Sequence, residues 1–269
     1  MNNSEDRRVA VLLTRIRDRK PLIHHITNTV TMNDSANIIL ALGALPVMAH
    51  AIEEVEEMVG LAGALVLNIG TLDSGHVESM LRAGKRANAL GIPIVLDPVG
   101  AGATRFRTQS ALWLLSELRI AVVRGNAAEM AALVGVAGET RGVESISVAG
   151  DRESLARRVA QELKCVAAIT GVHDIITDGK RIARVDNGDP LLASITGSGC
   201  MSTSLVGAFL AVEPDAWYAA TAGLVMMGLA GQLAASKASG PGTFRAHLFD
   251  AIAMMDEQAI IQGQKVSVT

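Results

Sequence analysis

The run Thr196-Gly197-Ser198-Gly199-Cys200-Met201-Ser202 puts two glycines and a thiol in a turn that leads into an apolar helical pattern through Leu205, Phe209 and Leu210. Glycines let a backbone come close to a phosphate. Free amides and the positive end of a helix dipole stabilise the negative charge that develops in phosphoryl transfer. A glycine-containing helix start is also an ordinary flexible turn, so the segment gains chemical meaning only from its partners. Asp97 directly follows Ile94-Val95-Leu96, and Glu129 stands after Asn126 at the start of a predicted helix. Two carboxylates on one rim can hold magnesium, directly or through water, because that ion keeps several waters and needs few protein ligands. Asp97 can equally stabilise a turn, and Glu129 can simply favour a helix's first turn. Arg124, at the end of the apolar run 120–123, carries a fork suited to a nucleotide phosphate, and Thr170 can add a hydroxyl. A surface ion pair and a strand-end cap are their plainer readings.

No segment carries the phosphate-binding pattern that ends in Gly-Lys-Ser or Gly-Lys-Thr, and no strand is followed by the full dinucleotide glycine pattern. Phosphoryl transfer remains open to another fold, since it depends on positioning, a metal and charge stabilisation. His24-His25 has no third ligand at a recognisable spacing, so a structural or substrate-lining role is expected. Cys165, ahead of an apolar run, is expected in the core. With only Cys165 and Cys200 present, neither a disulfide framework nor a Cys-rich metal centre is predicted, and a reducing cytosol fits.

Something must bring these residues together. Short β-branched runs at 65–67, 93–96, 120–123 and 166–169 read as buried strands. Helix-like periodicity predicts helices over 5–17, 33–42, 52–61, 74–90, 105–118, 127–134 and 151–163. This alternation predicts an α/β fold, a doubly wound and mostly parallel sheet flanked by helices. A hairpin over 174–185, turning at Asp178-Gly179, and a largely helical C-terminal third follow. No linker, repeat or low-complexity tract divides the chain, so residues 1–269 are expected to form a single domain. In open parallel sheets, ligands bind beyond the carboxyl ends of the strands. Asn68-Ile69-Gly70-Thr71, Asp97-Pro98-Val99-Gly100-Ala101-Gly102, Arg124-Gly125-Asn126 and Thr170-Gly171 all fall there.

Composition narrows the classes further. Hydrophobic residues make up 49% of the chain and charged ones 19%, enough apolar mass for a large core. Aromatics are only 3%, the net charge is −3 and the basic residues are scattered, which argues against a nucleic-acid partner. Two uncharged runs, 190–212 and 216–236, reach spanning length, but Gly, Ser, Thr and Gln interrupt them, so no membrane association is predicted. The first twenty residues mix Glu5, Asp6 and several Arg among apolar positions, unlike a secretory signal, and a cytoplasmic protein is expected.

Taken in order and spacing, the segments at 97–102, 124–129 and 197–200 resemble the hydroxyethylthiazole kinase family, as do Ile26-Thr27-Asn28-Thr29-Val30-Thr31-Met32-Asn33 and Pro46-Val47-Met48. The resemblance covers nearly the whole chain. It implies a ribokinase-like fold and transfer of the terminal phosphate of ATP, with Mg2+, to the hydroxyethyl oxygen of 4-methyl-5-(2-hydroxyethyl)thiazole in thiamine biosynthesis or salvage. It further implies that Arg124 and Thr170 contact ATP and that Met48, Gly197 and Asn28 bind the thiazole. Asp97 and Glu129 match the magnesium-side positions, and Gly197, Gly199 and Cys200 the catalytic turn. A homotrimer with pockets at subunit boundaries is implied as well. Related sugar, pyridoxal and hydroxymethylpyrimidine kinases usually carry Asp where Cys200 stands, so the thiol matches the thiazole branch. Cys200 can accept a proton or only line the pocket. Ser198 departs from the Thr or Ala common in the family, a change that preserves the backbone approach. Kinases of hydroxymethylpyrimidine or pyridoxal, a ribokinase-like lyase or repair dehydratase and a catalytically silent binding protein are the alternatives, since a shared fold does not guarantee activity.

Overall fold

The computed structural model describes residues 7–136 and 149–269. Among them, nine strands make one sheet: β1 (Leu22–Ile26), β2 (Leu45–Val47), β3 (Ala64–Asn68), β4 (Ile94–Asp97), β5 (Val122–Asn126), β6 (Val166–Thr170), β7 (Asp174–Thr177), β8 (Ile182–Val185) and β9 (Val266–Val268). Their spatial order is β2-β1-β3-β4-β5-β6-β7-β8-β9. The strands from β2 to β6 run parallel, and β7, β8 and β9 extend the sheet antiparallel.

Helices cover both faces. On one lie α1 (Arg8–Arg19), α2 (Met32–Leu42), α8 (Ser198–Leu210), α9 (Ala216–Ala235), α10 (Pro241–Met254) and α11 (Glu257–Gly263). They bury Ile16, Ile38, Leu205, Phe209 and Trp217 against Ile23, Val66, Val95 and Val122 of the sheet. On the other lie α3 (Val55–Gly60), α4 (Ser74–Leu90), α5 (Arg105–Glu117), α6 (Ala127–Leu133) and α7 (Ala149–Leu163). These pack Val59, Met80, Leu114, Met130 and Val159 against Leu65, Leu67, Leu96 and Val123. Neighbours such as Leu65 and Val66 thus enter different cores, which is why the central strands read as unbroken apolar runs.

The expected strands and helices are present, and so is the hairpin of β7 and β8, but the strand expected over 120–123 starts at Val122 and runs on through Arg124-Gly125-Asn126, residues expected just beyond it. Helix starts follow from local chemistry. Asp73 accepts from the His76 amide at α4, and Thr104 accepts from the Arg107 amide at α5. The predicted helix over 52–61 is shorter, because α3 begins only at Val55. Glu5 and Asp6 of the first predicted helix lie outside the described residues.

Three strands lack the expected sequence signal. In β1 the buried pair His24-His25 interrupts the apolar run, β2 has three residues with Pro46 in the middle, and β9 is a three-residue edge strand. Of the two spanning-length runs, the second forms α9. That helix is long and apolar enough to cross a membrane, yet 78% of its apolar window is buried inside the fold. Trp217 at its start is 2% exposed and donates its indole N–H to the Ile176 carbonyl at 3.1 Å.

Strand order also marks a switch point where a ligand can sit. The chain steps outward from β1 to β2, then resumes on the other side of β1 with β3. The carboxyl ends of β1 and β3 therefore border the crevice where open α/β sheets receive ligands.

Candidate active site

Five parallel strands deliver polar residues to this rim, and α8 starts above them. Asn28, just past β1, donates Nδ2 to Asn68 Oδ1 at 2.9 Å and to Cys200 Sγ at 3.3 Å. Asn68, the last residue of β3, donates its own Nδ2 to Asp97 Oδ2 at 3.0 Å and to Cys200 Sγ at 3.3 Å. Thr203, one turn along α8, donates to the same Asp97 oxygen at 2.7 Å, and Arg124 Nη1 lies 3.7 Å from it. Arg124 Nη2 donates to Thr170 Oγ1 at 2.6 Å. Cys200, Asp97, Arg124 and Thr170 are thus joined in one network by Asn28, Asn68 and Thr203.

Gly197 caps α8 from the left-handed region, at φ +92°, where a β-carbon would stand 2.8 Å from Thr31 Cγ2. It offers no side-chain cap, so the first-turn amides of α8 are left for another acceptor. Ser198, Gly199 and Cys200, which own those amides, line a cleft of about 840 Å3 together with Asp97, Arg124, Glu129 and Thr170. An anion in this cleft would meet a helix N-terminus and a guanidinium together.

Burial sets the electrostatics. Asp97 is 1% exposed, and desolvation pushes its carboxyl pKa up to about 6, against the pull of Arg124 and with the like charge of Glu129 adding to the rise. Its Oδ1 is buried without a hydrogen-bond partner among the described residues. Glu129 accepts from the Gly100 amide at 2.9 Å and the Asn126 amide at 2.8 Å, while Asn126 Oδ1 accepts from the Glu129 amide at 2.9 Å. This capping box starts α6 and turns the carboxylate toward the cleft. Magnesium favours hard oxygen donors, and an unpaired Asp97 oxygen beside a second carboxylate fits that preference. Asp174, also in the lining, accepts from the Gly171 amide at 3.0 Å and has its pKa pushed up to about 6, chiefly by burial.

Met48 stands apart: it follows β2 on the same side of the sheet, half-buried, and does not line this cleft. Asn28 reaches the network beneath the cleft without lining it. The two histidines are buried and do not line this cleft, with His24 Nε2 lying 2.6 Å from the Ala49 carbonyl and His25 Nε2 3.2 Å from Ser204 Oγ. Burial lowers the His25 pKa to about 4, so its ring is neutral. Among the described residues no group of three or more His, Cys, Asp or Glu is arranged to hold a metal. Cys165 is part of the core edge, its thiol pushed up to about 12 by burial.

Sequence reasoning put Asn68 on the rim without giving it a role, and it passed over Thr203 and Asp174. The available signal was polarity where apolarity is the rule: Ser202-Thr203-Ser204 is a polar run inside a buried apolar helix.

The family model described as "Hydroxyethylthiazole kinase family" matches residues 13–258. A hydroxyethylthiazole kinase of Roseiflexus sp. (strain RS-1) is 56% identical over 261 residues, covering 97% of each chain. Another, from Desulforudis audaxviator, is 55% identical over 99% of this chain and 98% of its own. Among solved structures, the hydroxyethylthiazole kinase protein of Pyrococcus horikoshii OT3 superposes with a TM-score of 0.91 at 45% identity, covering 97% of this chain and 98% of its own. A pyridoxal kinase of Staphylococcus aureus, at 17% identity and a TM-score of 0.66 over 93% of this chain and 98% of its own, shares the fold alone. That fold is the ribokinase-like α/β arrangement. With the network around Cys200 and relatives matched over nearly their full length, this chain belongs to the hydroxyethylthiazole kinase family.

Proposed function

We propose that this chain transfers the terminal phosphate of ATP to the hydroxyethyl oxygen of 4-methyl-5-(2-hydroxyethyl)thiazole, in thiamine biosynthesis or salvage. One observation carries the reading: Cys200 Sγ, in the first turn of α8, is approached by the side-chain amides of Asn28 and Asn68, beside the buried Asp97 and its partner Arg124. A sulfur that receives two donors is an acceptor. An acceptor at a helix N-terminus suits an alcohol whose proton must leave as a phosphoryl group arrives.

In this reading Arg124 and Thr170 hold the phosphates of ATP, and the open first-turn amides that follow the Gly197 cap, those of Ser198, Gly199 and Cys200, receive the charge that spreads over the transferred group. Met48, Asn28 and Gly197 surround the thiazole. Asp97 and Glu129 hold magnesium directly or through water; when bound, that ion neutralises phosphate oxygens. Asp97 is supported by its unpaired Oδ1, and Glu129 by its place in the lining. The chain works as a single kinase domain over residues 1–269, in the cytoplasm and as a homotrimer. Met48, away from the cleft of one subunit, is compatible with a thiazole pocket completed at a subunit boundary.

The test is a coupled ADP-release assay with magnesium-ATP and the thiazole alcohol, with mass detection of product and parallel reactions on hydroxymethylpyrimidine and pyridoxal. Thiazole phosphate is the expected product. Phosphorylation of another alcohol alone would reassign the substrate, and saturable binding without turnover would make the chain a binding protein.

A further inference from the structure

Behind Gly171, the residue after Thr170, a second arginine packs from α7 without lining the cleft itself. The guanidinium of Arg152 lies against Gly171, so closely that a β-carbon there would fall 2.6 Å from Nη2, 2.9 Å from Nη1 and 3.0 Å from Cζ. Gly171 itself lines the cleft. Arg124 makes a matching contact, with Nη1 2.7 Å from where a β-carbon on Gly199 would stand. Two guanidinium groups thus pack on two cleft glycines.

Fold stability gives no account of Arg152. It sits in the first turn of α7, where the helix dipole disfavours a cation. Its Nε and Nη2 are buried and have no hydrogen-bond partner among the described residues. Its charged neighbours are Asp174, which attracts it, and Arg184, which repels it. The Asp174 carboxylate already accepts from the Gly171 amide and feels Arg124 as well. A half-buried cation with two unmet donors, a repelling Arg184 and only the shared Asp174 carboxylate as counter-charge favours a further anion.

We infer that Arg152 is a second cationic partner for the phosphate chain of the nucleotide, reached at the Gly171 edge of the cleft. The inference rests on the nucleotide reading of the cleft given above. Gly171 is then required because any side chain would push the guanidinium off the cleft edge.

Calorimetric titration of ADP and of adenosine onto the full chain tests this, with wild type, Arg152→Ala, Arg152→Lys and Gly171→Ala compared. Arg152→Ala is expected to weaken ADP about tenfold, the scale of one charge-assisted contact, and to leave adenosine unchanged. Arg152→Lys recovers part of the loss, and the salt dependence of ADP binding becomes shallower in Arg152→Ala. Gly171→Ala reproduces the ADP loss and adds nothing in the Arg152→Ala background, which keeps the test open if Arg152→Ala fails to fold. Equal ADP affinity in wild type and Arg152→Ala, or parallel losses of ADP and adenosine, would overturn the role of Arg152 alone. Failure of the wild type to bind either ligand would overturn the nucleotide reading with it.

Discussion

Arg124 and Gly199 form one unit. The guanidinium covers the glycine so closely that a β-carbon on residue 199 would stand 2.7 Å from Nη1, and the same side chain reaches Thr170 with its other terminal nitrogen. The second glycine of the turn therefore admits the arginine of β5 as well as an approaching phosphate.

Gly199→Ala separates these effects from stability. Alanine in the first turn of α8 should favour the helix by up to about 1 kcal/mol, yet it displaces Arg124. Melting should be unchanged or improved, while kcat/KM for ATP falls by roughly tenfold to a hundredfold, as it does in Arg124→Ala. Steady-state kinetics with thermal melts on both variants check this, and a Gly199→Ala enzyme with normal ATP kinetics would contradict it.

Glu129→Gln leaves one carbonyl oxygen where two carboxylate oxygens accept backbone amides, from Gly100 and Asn126. The expected stability loss is about 1 kcal/mol. Magnesium-dependent turnover should weaken. The like charge of Glu129 helps to raise the Asp97 carboxyl to about 6, so its removal lowers that value. Wild-type kcat/KM is expected to fall as pH drops through about 6 and Asp97 takes a proton; in Glu129→Gln that acid limb moves to lower pH. A pH profile of both proteins shows the direction.

Cys200 tests proton acceptance. Asn28 Nδ2 also donates to Asn68 Oδ1, and Asn68 Nδ2 also donates to Asp97 Oδ2, so Cys200→Ala keeps one N–H of each amide paired and takes the acceptor from the other. Its stability loss should be about 1 to 3 kcal/mol while turnover falls. Cys200→Asp puts a carboxylate before the same two donors and should retain or increase the rate. A folded but inactive Cys200→Asp would point to a role specific to sulfur.

His25 governs part of the acid response. Its folded pKa of about 4 lies below its ordinary 6.5, so the unfolded chain binds the proton first as pH falls. The neutral ring's contribution is fully present above pH 6.5 and is lost as pH drops toward 4, an effect of order 3 kcal/mol. Urea unfolding from pH 7 to pH 4 should be less steeply pH-dependent for His25→Gln than for wild type. Equal pH slopes would argue against this origin.

The sequence determined the alternation of buried runs and amphipathic segments, the mostly parallel sheet and the polar residues at strand ends, because periodicity and capping are local chemistry. It also determined the Gly197–Cys200 turn and the family to which that turn belongs. Only the tertiary structure decided which rim residues meet. Asn68 gains its role from pairing at once with Asn28, Asp97 and Cys200, residues that lie 29 to 132 positions from it along the chain. The edge strands β2 and β9 likewise exist through their neighbours, as three residues carry too little pattern to declare a strand. Gly199 and Gly171 read as turn residues in the sequence, and only folding shows that each makes room for an arginine from elsewhere in the chain. Spacing reports what one element can do alone, whereas close contact between elements is set by how the two cores pack against the sheet.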